Sequence, residues 1–70
     1  MELILQMGAI ERSGYRFEPE YSVIKQNGAI HVFHKGDFVK ELTFSFSGKY
    51  PEPAQIDTIV DEFCEQEGIP

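Results

Sequence analysis

The sequence predicts an α+β domain, an antiparallel β-meander of three to five strands with one C-terminal amphipathic helix packed on one face. Three observations support this prediction. Short β-rich runs fill the middle of the chain, glycine-containing pairs separate them, and the last segment has apolar residues at helical spacing. The 70 residues predict a single domain, with an N-terminal extension or strands in 1–19, the meander in 20–47 and the helix in 53–67.

The first nineteen residues predict one or two further strands. The stretch ELILQMGAIE alternates in part between apolar and polar residues, and Tyr15 and Phe17 alternate with Arg16. Met7 is a plausible alternative start, so MELILQ is interpreted as an optional extension.

Two predicted turns set the register of the meander. Asn27-Gly28 is the pair best suited to a type I′ turn, and Lys35-Gly36 marks a second two-residue turn. Val32 then faces Val23 across the first turn and Val39 across the second.

Both faces of this meander carry apolar side chains. The face assigned to the helix carries Ile24, Ala29, Phe33, Phe38, Leu42, Phe44 and Phe46. The other face carries Tyr21, Val23, Ile30, Val32 and Val39. Because one helix covers only one face, the second face predicts self-association, most simply as a homodimer through that face or an N-terminal edge strand.

The C-terminal segment predicts the helix. Its apolar stripe consists of Ile56, Ile59, Val60, Phe63 and Cys64. Pro53 suits the first turn and Gly68 suits the C-terminal cap. The helix is expected to place Phe63 in one core with Phe33 and Phe44.

The residues that could support chemistry do not form a recognisable site. His31 and His34 are three apart on a predicted strand, so their side chains point to opposite faces and do not share a metal ion. Cys64 lies on the apolar stripe near Glu62 and Glu65, where a reactive thiolate is disfavoured. The sequence predicts no catalytic residue, metal or cofactor, and the protein is not expected to be an enzyme.

The charge is unevenly distributed. Residues 1–50 contain all 6 Lys and Arg and half of the 12 Asp and Glu, whereas residues 51–70 contain the other half and no base. Scattered bases disfavour direct nucleic-acid binding, and an acidic helix could meet a protein with a basic surface. The N-terminus lacks the pattern of a signal peptide or a membrane span, which favours a cytoplasmic protein.

The segments MGAIERSGY, YSVIKQNGAIHVF and FVKELTFSFSGKYPE together resemble the YbxH-like proteins, small uncharacterised proteins of Bacillus-type bacteria. The resemblance covers roughly residues 7–67 and leaves out MELILQ. It implies a bacterial cytoplasmic origin and no particular activity or ligand.

The leading functional hypothesis is a small non-enzymatic interaction or regulatory module that self-associates. Its candidate interaction surface consists of Tyr15, Phe17, Tyr21, Val23, Ile30, Val32, Val39, Asp57, Asp61 and Glu65. One alternative is a small-ligand or sequestering protein with an intersubunit pocket formed by Tyr15, Arg16, Phe17, His31 and Lys40. Another is an acidic inhibitor of a DNA-binding protein, acting through Asp57, Asp61, Glu62 and Glu65.

Overall fold

A computed structural model describes residues 3–70, so Met1 and Glu2 lie outside the described part of the chain. Five antiparallel strands form one sheet and one helix follows them, which confirms the predicted α+β class. The elements are β1 (Leu5–Gln6), β2 (Ile10–Arg12), β3 (Tyr15–Ser22), β4 (Asn27–His34), β5 (Asp37–Ser45) and α1 (Pro53–Glu67). The strand order is β1-β3-β4-β5, and β2 pairs with β3 beside β1. The last two residues of MELILQ therefore form a strand.

The predicted turn at Asn27-Gly28 is wrong, because both residues belong to β4. The chain turns instead over residues 23–26, where the backbone N–H of Lys25 donates a hydrogen bond of 3.2 Å to the Ser22 hydroxyl. Gln26 closes the turn with a positive φ of 56°. As a result Val32 pairs with Phe17 of β3 and not with Val23.

The Gln26 side chain holds this turn against a distant loop. Its amide nitrogen donates to the carbonyl oxygens of Val23 and Gly48, at 2.7 and 2.8 Å, and its amide oxygen accepts from the Gly48 N–H at 2.8 Å.

We expect Gln26→Ala to lower the free energy of unfolding by about 1–2 kcal/mol, because several partly exposed hydrogen bonds are lost together. Urea denaturation checks this, with the exposed Gln66→Ala as the control, and equal midpoints for the two variants would contradict it.

Gly28 does not form a turn. It allows its strand to pack closely against the backbone of β3 and the side chain of Phe44. A Cβ atom at this position would lie 2.4 Å from the Glu20 carbonyl oxygen and 2.5 Å from Cζ of Phe44. Such contacts are far shorter than van der Waals separations, so only glycine fits without a shift of its neighbours.

The second turn is where the sequence predicts it, since Phe33 pairs with Phe38 across Lys35-Gly36. Beyond that pair, Val32 faces Lys40 and not Val39, so β5 contains one extra residue, a β-bulge. A shift of one residue moves every later side chain to the opposite face. The bulge therefore places Leu42 on the same side as Ile30, its partner on β4.

Helix α1 covers the face of the sheet that the sequence analysis left uncovered. Its buried residues pack with three sheet residues that are all 0% exposed, Phe17, Ile30 and Val32. The assignment of the helix to the phenylalanine-rich face of the meander is thus wrong for β4, whose Ile30 and Val32 lie beneath the helix, although Leu42 of that predicted face also packs against the core. Phe44 packs against the same cluster and Phe63 belongs to it, as expected. Phe33 does not, because it lies on the other face and contacts Phe38 at a centroid distance of 5.9 Å.

The ends of α1 follow the sequence signals. Pro53 occupies the first turn, and Gly68 caps the C-terminus with a left-handed φ of 69°. The backbone N–H of Ile69 donates to the Cys64 carbonyl at 2.7 Å, and the Ile69 side chain packs against the core. This pattern is a Schellman cap with its usual hydrophobic contact.

Candidate interaction surface

The face of the sheet away from α1, called the open face below, carries charged side chains on neighbouring strands. His31 Nε2 lies 2.8 Å from Glu41 Oε2 and 3.7 Å from Glu20 Oε1. Arg16 Nε lies 2.7 Å from Glu18 Oε2, and this hydrogen bond raises the pKa of the Arg16 guanidinium. These groups are partly exposed, so their pairing contributes little to stability.

Arg16 and His31 line one cleft of about 210 Å³ on the open face, together with Glu18 and Glu20. The structure thus brings together two of the five residues of the hypothesised ligand pocket. Tyr15 and Phe17 pack toward α1, and Lys40 lines a different groove. The cleft contains two carboxylates beside one guanidinium that already pairs with Glu18, which is a poor arrangement for binding an anion.

The two histidines lie on opposite faces, as the spacing predicts. His31 is on the open face, whereas the His34 ring stacks on Tyr15 at 4.1 Å. Tyr15 in turn contacts Phe63 of α1, so His34 belongs to the helix side. Across residues 3–70, no three His, Cys, Asp or Glu side chains lie close enough together to hold a metal ion.

The ten residues of the predicted interaction surface do not form one surface. Phe17, Ile30 and Val32 are completely buried beneath α1, which corrects their placement on an exposed face. Tyr15 and Tyr21 are half-buried, whereas Val23 and Val39 are exposed, as are Asp57, Asp61 and Glu65 on α1. Phe17, Ile30 and Val32 are buried because α1 packs on their face, and the bulge adds Leu42 and Phe44 of β5 to the same side.

Asp61 of the acidic helix is engaged within the chain. Arg12 Nη1 lies 2.7 Å from Asp61 Oδ1 and joins β2 to α1. The hydrogen bond to Asp61 is the main reason that the pKa of Arg12 is raised, and a contact with buried Cys64 adds to it. Asp57, Glu62 and Glu65 remain exposed on the helix.

Strand β5 is the edge of the described sheet, since β4 is its only neighbour among the described strands. One hydrogen bond identifies which backbone groups of β5 point away from β4. Phe46 N–H points inward and donates to the Gln26 carbonyl at 3.1 Å. Backbone groups alternate in direction along an antiparallel strand. The N–H and C=O groups of Glu41 and Thr43 therefore point away from β4, toward solvent.

A groove of about 370 Å³ runs between this edge and α1. Leu42 and Thr43 of β5 form one wall, and Ile59 and Phe63 of α1 form the other. Lys40, Glu41, Glu62 and Gln66 complete its lining. An unpaired strand edge next to a partly apolar groove is the arrangement by which many proteins accept an additional β-strand.

Both ends of the β5 edge are protected. The bulge interrupts the strand at Val39, and the Gln55 side-chain amide donates to the Ser45 carbonyl at 2.7 Å. Bulges and covered ends are usual protections of strand edges against unwanted pairing. We call the stretch between them, residues 40–44, the open edge.

The opposite side of the sheet offers no comparable edge among the described residues. Strand β1 has two residues and β2 has three, and both pair with β3. Between them Met7 N–H donates to the Pro19 carbonyl at 3.0 Å. The sequence reading missed the open edge, because the position of a strand within a sheet depends on strand order and not on local pattern.

Over residues 3–70, fold and surface define a small α+β domain with one continuous strand edge beside its helix. The chain belongs to a family of unknown function (DUF5370), which matches residues 7–69. It is similar to the "Uncharacterized protein YbxH" of Bacillus subtilis (strain 168), with 59% identity over 58 residues that cover 83% of this chain and 92% of that protein. The YbxH-like resemblance is thus confirmed. No solved structure matches the chain. Within residues 3–70, no helix has the length and apolarity needed to span a membrane.

Proposed function

We propose that this protein is a small, non-enzymatic interaction module of the bacterial cytoplasm that associates with a copy of itself. The observation that supports the proposal is the open edge, a run of outward main-chain donors and acceptors beside the groove formed with Ile59 and Phe63. Unpaired edges of this kind pair readily with another strand. The face that carries Phe17, Ile30 and Val32 is not available for association, because α1 packs against these residues.

Sedimentation equilibrium over micromolar to millimolar concentrations tests this proposal. We expect the average mass to rise with concentration from the monomer value of 8.0 kDa toward twice that value. Added salt should strengthen the association, because each copy carries a net charge of -6 and salt screens the repulsion between copies. A mass that stays at the monomer value throughout would refute self-association.

Salt dependence also separates this proposal from association through charge pairs. Contacts between the acidic helix and the bases of another copy would weaken as salt rises. The exposed acid Asp57 offers a matched variant, because it lies on the helix and does not line the groove beside β5. Asp57→Asn should leave the dimer intact or slightly favour it, whereas dissociation of this variant would point to the helix.

A further inference from the structure

We infer that the occupant of the open edge is the β5 strand of a second copy, paired antiparallel about a two-fold axis at Leu42. This inference rests on the proposed self-association and adds its geometry. The two sheets then continue into one, with both helices on the same side. Each copy has one continuous edge among its described strands, so this pairing closes at a dimer and does not propagate into a fibre.

The main-chain groups fit this register. Glu41 of one copy faces Thr43 of the other, and the outward groups of these residues can exchange two hydrogen bonds in each pair. Leu42 faces Leu42 of the second copy in a pair without hydrogen bonds, since the Leu42 backbone groups point inward to β4. About four main-chain hydrogen bonds form in all, which places the contact among small and reversible interfaces.

Side-chain chemistry selects the register. A two-fold axis perpendicular to the sheet passes through one residue of β5, which then faces itself. An axis at Lys40 or Glu41 would place like charges directly opposite each other, which is destabilising. An axis at Thr43 or at Phe44 would bring Ser45 into the ladder, yet the carbonyl of Ser45 already accepts a hydrogen bond from Gln55.

Leu42 fits the groove on the helix side. It pairs with Ile30 within its own sheet, so it projects toward α1 and lines the groove with Ile59 and Phe63. Leu42 of the second copy would enter between β5 and α1 and bury further apolar surface. A second copy therefore supplies both the hydrogen-bonding strand and the side chain that the groove can accept.

The first test is Thr43→Pro, with Thr43→Ser as the control. Proline removes the outward N–H of residue 43 and leaves the pairing with β4 intact, since prolines are tolerated on the outer side of edge strands. We expect at least about tenfold weaker association by sedimentation equilibrium, because each dimer loses two equivalent hydrogen bonds. Thr43→Ser should associate like the parent protein. Equal association of a folded Thr43→Pro variant, with its fold checked by circular dichroism, would refute the inference.

The second test is a disulfide across the axis, made in a Cys64→Ala background so that the new thiol is the only one. Two Leu42→Cys residues would have Cα atoms about 4.5 Å apart, within the range for a disulfide. Glu41→Cys is the control, because its two copies would lie roughly 8–9 Å apart, beyond that range. We expect mild oxidation to give covalent dimer from Leu42→Cys and little from Glu41→Cys.

The outcomes separate the inference from the proposed function. Parent protein that dimerises while Leu42→Cys fails to cross-link, or cross-links no better than Glu41→Cys, would refute the β5 pairing and leave self-association standing. Parent protein that remains monomeric would refute both, and would leave the edge open to an extended segment of another protein.

Discussion

Phe17→Ala is expected to lower the free energy of unfolding by about 3–5 kcal/mol, a large part of the stability of a domain this small. Phe17 is 0% exposed and packs edge-on against Phe63 at a centroid distance of 5.9 Å, so truncation leaves a cavity between sheet and helix. Urea denaturation with a fixed slope measures the change.

Phe38→Ala is the matched control for this prediction. Phe38 is the same residue type but lies 59% exposed on the open face. Its truncation should cost less than about 1 kcal/mol. If Phe38→Ala were as destabilising as Phe17→Ala, the helix would cover the other face of the sheet, as the sequence pattern first suggested.

Gly28→Ala is the second substitution with a large expected effect. The added methyl group would lie 2.4 Å from the Glu20 carbonyl oxygen and 2.5 Å from the Phe44 ring. Overpacking of this kind costs about 1–3 kcal/mol and occasionally more, and we expect a loss near or above the upper end of this range, because strand backbone would have to move as well as the ring. Thermal and urea unfolding should both show the loss.

Gly8→Ala is the control for the glycine position, since nothing lies within 4 Å of a Cβ atom there. It should leave stability unchanged or raise it by about 0.4–1 kcal/mol, because alanine lowers the conformational entropy of the unfolded chain.

The two interpretations of Asn27-Gly28 predict different results for Gly28→Ala. In a type I′ turn, alanine at Gly28 would cost only the strain of a positive φ, about 1–2 kcal/mol. A cost no greater than that would contradict the position of Gly28 inside β4.

The bulge at Val39 changes which side chains lie on each face of the sheet, and so which surfaces a partner could contact. Without it, both faces of the meander would be partly apolar, and association through a broad face would follow. With it, Leu42 joins Ile30 on the helix side, while Glu41 joins His31 on the open face. Ile30, Val32 and Leu42 then pack beneath α1, Phe38 stays exposed on the open face, and β5 keeps an unpaired edge among the described strands.

The protection at each end of β5 gives this edge a defined length. The bulge and the Gln55 hydrogen bond to Ser45 leave only a short ladder open. A short ladder favours reversible pairing over extended aggregation, because few main-chain groups are available at once. This property suits a module that associates and dissociates with concentration.

The candidate site could be predicted only in part. The sequence identified β5 as a strand, the apolar stripe of α1 and the opposite orientations of His31 and His34. It did not identify the open edge, and it placed three core residues, Phe17, Ile30 and Val32, on an exposed surface. Exposure depends on which strands flank β5 and on which side α1 lies, and neither is a local property of the chain.

The sequence by itself determined the α+β class, the C-terminal helix with its glycine cap, and the turn at Lys35-Gly36, because these depend on spacing and conformational preference within a few residues. Only the tertiary structure decided the first turn, the register and the covered face. A glycine pair satisfies either a tight turn or a close approach between strands, and the packing of Gly28 against Phe44 selects the second. A one-residue bulge then reverses the facing of most of β5, so the outcome depends on burying Ile30, Val32 and Leu42 together.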